Sequence, residues 1–272
     1  MSCPRCGSER MSERSERTAQ GCRRFRCRVC GKQWNQRTGT ALNRTPYPAD
    51  VIALVVLWRL RDQLSLRDLA EMVLVRGIVF SHEAGRDWAA KLAPILTADR
   101  RRRRGGRIGT SWSVDATSIR VSGRWCYLYR AIDRDGNLVD VMLSERRDLQ
   151  AARAFFRSAK AVTGVVPDRV TTDGHDAYPA AIRSALGTEV RHRTSASLNN
   201  RLEQDHRGLK GRYRPMRGFG SVTSARRFCR GHDELRSFLR ARSRCRQHVP
   251  ADRRRLIHLR RAVAVLAIMA AG

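Results

Sequence analysis

Trp112-Ser-Val-Asp-Ala-Thr-Ser-Ile-Arg-Val121, a Ser122-Gly123 break, and Arg124-Trp-Cys-Tyr-Leu-Tyr-Arg-Ala-Ile132 form the stretch on which the fold turns. Trp112, Val114, Ile119 and Val121, and then Trp125 to Ile132, recur in the rhythm of strands, and Ser122-Gly123 suits the turn of a hairpin. Leu138 to Leu143 follows the Asp135-Gly136 turn as a third strand. Downstream the period lengthens. Leu149 to Val162 puts Ala151, Ala152, Phe155, Phe156 and Ala159 on one face and reads as a helix. Pro167 precedes a short strand, Arg169 to Thr172, which ends at Asp173. A helix from about Ala177 to Leu186, a strand near Glu189 to His192, and a helix from Leu198 to about Lys210 complete the series.

The order β-β-β-α-β-α-β-α predicts an α/β domain over residues 110–240. Three antiparallel strands followed by αβ alternation give a mixed five-stranded sheet with helices on both faces, a ribonuclease-H-like arrangement.

The 272-residue chain has 55 Lys+Arg against 25 Asp+Glu, a formal charge of +30. Such a surplus calls for a polyanionic partner, and double-stranded DNA is the first expectation, because Lys/Arg contacts to phosphate release counterions. A hydrophobic content of 42% is enough for a core and excludes a disordered basic tail. The longest apolar run, Ala262 to Ala271, is too short to cross a bilayer, so no membrane partner is expected. Cys and Arg stand where a signal peptide would carry its apolar core, which predicts a cytoplasmic, nucleoid-associated prokaryotic protein.

Residues 1–45 carry Cys3-Pro-Arg-Cys6-Gly and Cys27-Arg-Val-Cys30-Gly. Two Cys-x-x-Cys knuckles at this spacing predict a zinc ribbon in which Cys3, Cys6, Cys27 and Cys30 close a tetrahedral, structural Zn²⁺ site. Cys22 is expected to stand apart from it, and Arg24, Arg26 and Arg28 are candidate DNA contacts. Residues 46–99 hold three helical patterns. The first, Asp50 to Arg61, places Val51, Leu54, Val55 and Trp58 on one face. The second opens at Ser65 with an acid at Asp68, a capping arrangement, and stops at Gly77. The third opens at Ser81, with Trp88 and Leu92 inward and Arg86 and Lys91 outward. Helix, turn, helix reads as a DNA-binding helix-turn-helix. Arg100 to Arg104 with Gly105-Gly106 reads as a basic linker, 100–109, in which Arg101, Arg102 and Arg103 lie on phosphate. Residues 241–272 are expected to be a basic helical tail whose apolar end packs as a last helix.

In so basic a chain, acids at strand ends are conspicuous. Asp115 follows one strand segment, Asp173 ends another, and that topology makes the two strands neighbours. Glu203 lies on the last helix, with Lys210 two turns on along the same face and Asn199-Asn200 as its cap. Oxygen ligands without His or Cys suit two Mg²⁺ or Mn²⁺ ions, the arrangement that serves phosphoryl transfer. Asp133 and Asp135 belong to a turn, Asp148 to a helix cap, and Asp205 points away round the helix from Glu203.

Trp112-Ser-Val-Asp-Ala-Thr, Gly123-Arg-Trp-Cys-Tyr-Leu-Tyr-Arg-Ala-Ile-Asp133, Leu143-Ser-Glu-Arg-Arg-Asp148, Thr172-Asp-Gly-His175, Asn199-Asn-Arg-Leu-Glu-Gln-Asp-His-Arg-Gly-Leu-Lys210 and Arg214-Pro-Met-Arg-Gly-Phe219 together resemble the DDE transposases of insertion-sequence family six. Ser65-Leu-Arg-Asp-Leu and Ser81-His-Glu resemble that family's helix-turn-helix region. The resemblance spans roughly residues 50 to 240. It implies that Asp115, Asp173 and Glu203 are the catalytic, metal-binding triad, with Lys210 a helper, and that Arg207 lies near DNA. It also implies recognition of terminal inverted repeats, strand transfer of a 3′-hydroxyl into target DNA with cointegrate formation, and a homo-oligomer, at least a dimer, to hold two element ends. The chain departs from the pattern at Ala116, where the family has Glu in Asp-Glu-Thr, and its Asp173-to-Glu203 spacing is short. A DNA-binding regulator with a catalytically inert ribonuclease-H-like domain is the alternative, and a nuclease on the same fold a further one.

Overall fold

The computed structural model describes residues 2–195, 200–240 and 249–271; of the expected Asn199-Asn200 cap, Asn199 lies outside them, as does Cys245. The small N-terminal sheet is β1 (Met11–Arg17), β2 (Arg23–Cys27) and β3 (Gln33–Asn35), paired antiparallel in that order. Its core is only Cys3, Phe25, Cys27 and Trp34, too small a cluster for the apolar burial of an independent domain. Arg37 ties it to the helical region by donating to the carbonyls of Thr45 and Tyr47.

Three helices come next: α1 (Ala49–Arg61), α2 (Leu66–Leu74) and α3 (His82–Arg102). Ser65 and Asp68 form the expected capping box on α2, and Ser81 caps α3. On α1 the buried face differs from the expected one. Ile52, Val55, Val56, Leu57 and Leu60 are buried, whereas Val51, Leu54 and Trp58 are only partly covered. The helix has neighbours on several sides, α2 and α3 and two later helices, residues 222–239 and 251–271, so no single stripe marks its inner face.

The main sheet is β4 (Ser111–Val121), β5 (Arg124–Asp133), β6 (Leu138–Ser144), β7 (Arg169–Thr172) and β8 (Arg191–Thr194), ordered β6-β5-β4-β7-β8. The first three pair antiparallel; β7 joins β4, and β8 joins β7, in parallel. This is the mixed five-stranded sheet of the ribonuclease-H-like arrangement. Helices cover both faces. α4 (Leu149–Thr163) and α5 (Ala177–Leu186) pack on Trp112, Val114, Tyr129 and Ala131. On the other face lie α6 (Asn200–Tyr213) and α7 (Val222–Leu239), and Ile119, Val121, Cys126 and Leu128 share one core with α1, α3, α7 and α8 (Ala251–Ala271). The last helix docks through Val265 and Met269. Among the described residues, no helix is long and apolar enough to cross a membrane.

Arg100 to Arg104 is not the free linker that its charge suggests. The run continues and closes α3, because its arginines find acids. Arg100 and Arg103 hold the buried carboxylate of Asp99; Arg101 pairs with buried Asp140, and Arg104, itself buried, with buried Glu234. Arg101 is thus turned inward rather than toward phosphate; Arg102 and Arg103 are exposed. A third buried pair, Arg130 on β5 with Asp233 on α7, is bidentate and almost fully enclosed. Removing one member strands a charge. D233N should destabilise the protein by about 3–5 kcal/mol, whereas the double change R130M/D233L should cost far less. Denaturant unfolding checks this, and equal losses in the two variants would contradict it.

Candidate active site

The parallel pairing of β4 with β7 sets Ser113 beside Thr171. Continuing that register two residues brings Asp115 level with Asp173, on strands about 4.8 Å apart. Both acids follow the alternation onto the sheet face that α6 crosses. Gly174 makes the turn after Asp173 possible: its φ is +93°, and a Cβ there would lie 2.7 Å from Thr194 Cγ2. Glu203 is in the first turn of α6, the helix that packs on β4 and β5.

The carboxylates feel one another's charge. Asp115 is held above the ordinary carboxylate value of 3.8, first by burial and then by the charges of Asp173 and Glu203, against the opposing pull of its hydrogen bond from the Ala116 N–H and of Arg147. Asp173 is exposed, and its Oδ2 takes a 2.6 Å hydrogen bond from Arg147 Nη2. Despite burial, Arg147 is held more firmly protonated by Asp173 and Tyr178. Among the described residues only Cys3, Cys6, Cys27 and Cys30 are gathered at metal-ligand distance; Asp115, Asp173 and Glu203 stand within reach of one another's charge but not at that distance. Their oxygens are hard donors of the kind a divalent cation takes, and a cation would relieve the repulsion.

Two residues at this site had no role from residue chemistry alone. His206, three residues beyond Glu203 on α6, is buried with Nδ1 3.5 Å from Asp115 Oδ2. Burial, reinforced by Arg130 and Lys210, lowers its pKa to about 3, so the ring beside Asp115 is neutral. Its signal was the three-residue spacing from Glu203, which shares one helix face. Arg147 is the other; only the fold, which brings the loop between β6 and α4 against Asp173, reveals it. Lys210 lies near enough to lower the His206 pKa. Asp205 points away, as expected, and pairs with Arg236 at 2.7 Å. Ala116 faces away from the acids: it sits across from Tyr129 on the opposite face of β4, at the edge of the α4–α5 core.

The second cluster is the cysteines. Ligand atoms of Cys3, Cys6, Cys27 and Cys30 all lie within 4.8 Å of one another. Two of the separations, Cys3–Cys30 and Cys6–Cys27, are 3.6 Å, close to the ~3.8 Å edge of a tetrahedron with metal–sulfur bonds of about 2.3 Å. Backbone N–H groups of Val29 and Cys30 point at Cys27 Sγ. Cys3 is lowered to about 6: burial raises it, but the backbone N–H groups of Cys6 and Arg5 and the neighbouring thiols outweigh that. Cys22 stands outside, its Sγ directed at the Gln20 carbonyl. Of the arginines near this cluster, Arg26 and Arg28 are exposed, while Arg24 pairs with Glu16 at 3.1 Å.

Comparison with known proteins gives the class, a DDE transposase and so a polynucleotidyl transferase. A family model for a DDE domain, of the IS240 transposase type, matches residues 109–242. The transposase for insertion sequence-like element IS431mec of Staphylococcus aureus is 35% identical over 167 residues, covering 60% of this chain and 74% of that protein. The transposase for insertion sequence element IS257 in transposon Tn4003, also from Staphylococcus aureus, matches to the same extent. A chain in the simian T-cell lymphotropic virus intasome complexed with a PP2A regulatory subunit aligns over 68% of this chain and 65% of its own, at 14% identity and a TM-score of 0.38. The chain belongs to the insertion-sequence family six transposases. It is an insertion-sequence DNA transposase, and that class depends on a divalent metal.

The raised pKa of Asp115 has a stability consequence. Folding holds that proton more tightly than the unfolded chain does, so ionised Asp115 weakens the fold as pH rises above about 3.8. Without added divalent metal, D115N should therefore melt a few degrees higher than the unsubstituted protein at neutral pH, an advantage that shrinks toward pH 4. Thermal melts at the two pH values measure it, and a lower melting point for D115N at neutral pH would contradict the assigned electrostatics.

Proposed function

We propose that Asp115, Asp173 and Glu203 are the catalytic carboxylates, that together they hold Mg²⁺ or Mn²⁺, and that the chain uses them to transfer a 3′-hydroxyl end of its element into target DNA. The observation that carries this reading is the β4–β7 register, which sets Asp115 level with Asp173 and within electrostatic reach of Glu203. A protein with 25 acids among 55 bases has little reason to crowd three carboxylates unless they serve a cation. Bound there, the cation supplies Lewis-acid polarisation of a phosphoryl oxygen and a lowered pKa for the attacking hydroxyl.

The chain's own groups divide the remaining work. Neutral His206 orients Asp115. Arg147 balances the charge of Asp173, and near the reacting phosphate it is a second cation for the charge that develops. Lys210, seven residues beyond Glu203 on α6, meets a flanking phosphate, and exposed Arg207 lies on the same helix. Cys3, Cys6, Cys27 and Cys30 hold structural zinc, and α2 with α3 serves as a helix-turn-helix whose Arg86 and Lys91 face DNA. Holding two element ends calls for at least a dimer. The DNA-binding-regulator reading is not favoured, because it leaves the mutually repelling acids without a use.

Single substitutions D115N, D173N and E203Q should each abolish strand transfer on a substrate carrying the element's ends, with duplex binding retained; full transfer by any one of them would overturn its assignment. Purified protein should hold one zinc per chain. C27S should lose that zinc and melt earlier, and unchanged metal content by emission spectrometry would overturn the zinc assignment.

A further inference from the structure

A groove of about 880 Å³ runs between the α1–α3 helices and the segment 215–221 that links α6 to α7. Arg59, Arg67, Arg86, Arg217 and Arg227 line it, and its lining contains no acid. Among the described residues, none of these five forms an ion pair, although Glu83, beside the groove on α3, pairs with His82 and feels the charge of Arg86. The contrast with Arg101, Arg104 and Arg130 is pointed: each of those has its own buried carboxylate.

Arg59 states the electrostatic problem most clearly. It is half-buried, with its guanidinium 5.9 Å from the Phe228 ring centroid and Nη1 buried without a hydrogen-bond partner. Burial, then the charge of Arg86, lowers its pKa to about 10. A partly desolvated cation beside another cation is costly unless an anion joins them. The backbone opposite is shaped for close approach. Arg217 has φ +56°, a left-handed conformation that strains a residue bearing a side chain. Gly218 follows at φ +90°, with open space where its Cβ would be.

The segment is also tied to the catalytic sheet. Ser122 N–H donates to the Phe219 carbonyl at 2.9 Å and Ser122 Oγ to the Gly220 carbonyl at 2.8 Å, while Val121 bridges Phe219. Val121 and Asp115 are on the same strand, six residues apart, or about 20 Å at ~3.3 Å per residue. That length corresponds to about six steps of duplex DNA at ~3.4 Å each.

We propose that this arginine groove is a clamp for the phosphate backbone of double-stranded DNA, held by β4 at a fixed distance from Asp115 so that it grips duplex flanking the reacting phosphate. Five guanidinium groups with no acid among them match a run of phosphates, and Arg59 gains the anion its site lacks. The identification of the polyanion as DNA rests on the transposase reading. The two fail separately, because D115N tests transfer without touching the groove, and groove variants are read by binding alone.

The test uses the full-length protein and a random-sequence duplex, with binding followed by fluorescence anisotropy across a salt series. R217Q/R227Q should lower affinity about tenfold and make the slope of log affinity against log salt shallower by about two, one for each phosphate no longer neutralised. R157Q/K160Q, which removes the same charge from exposed positions on α4, should change both far less. If R217Q/R227Q melts early, exposed R67Q replaces it, with a slope change of about one. Equal losses in groove and control variants, or an unchanged slope in the groove variants, would overturn the proposal.

Discussion

The parallel register of β4 against β7 is the constraint on which the rest of this structure depends. Ser113 beside Thr171 is an ordinary pairing in a buried sheet, yet it obliges two acids two residues further on to lie side by side. A one-residue slip would turn Asp173 to the α4–α5 face and bury it among Phe155, Phe156 and Tyr178. The apolar alternation that protects the register is therefore also what holds the acids together. Val170 and Trp112 are fully buried in one core, and that burial opposes any slip.

Holding like charges together has to be offset elsewhere in the fold. Three buried arginine–carboxylate pairs clamp α3, the sheet and α7 behind the acids: Arg101–Asp140, Arg104–Glu234 and Arg130–Asp233. They fix geometry more than they add stability, since desolvation consumes much of the attraction in a buried pair. Arg130 lies directly across from Asp115 in the β4–β5 ladder, and its charge helps to keep His206 neutral. The structural pairs and the candidate site are thus one electrostatic unit. The arginines of the groove differ in kind, being left without acids on a surface that duplex DNA can reach.

Much of this is legible in the chain. The Ser122-Gly123 hairpin, the Asp148 and Ser65 caps, Asp173 just past the end of β7 and the paired Cys-x-x-Cys knuckles are local signals, and each coincides with its structural feature. Asp115, expected to follow a strand segment, instead stands within the continuous strand β4, because the hairpin pairing runs unbroken through it. What escapes a reading of the sequence is non-local. A run of five arginines looks like solvated linker until the acids that meet it, Asp140 and Glu234, are brought from 39 and 130 residues away. The inner face of α1 differs from its apolar pattern because a helix buried on several sides carries no stripe. Arg147 and His206 gain roles only when the topology sets them against Asp173 and Asp115. Ala116 is the reverse case: adjacent to Asp115 in sequence, it is separated from it by the thickness of the sheet.

Asp115, Asp173 and Glu203 come from three distant segments, and the proposed function has them share one divalent-cation site. Replacing Mg²⁺ with Fe²⁺ in zinc-loaded protein, adding ascorbate and peroxide, and mapping backbone cleavage by mass spectrometry reads the residues around the bound ion directly. The account predicts cuts clustered at residues near 115, 173 and 203, suppressed by excess Mg²⁺. Cleavage that spares any one of these segments, or that Mg²⁺ fails to suppress, would contradict it.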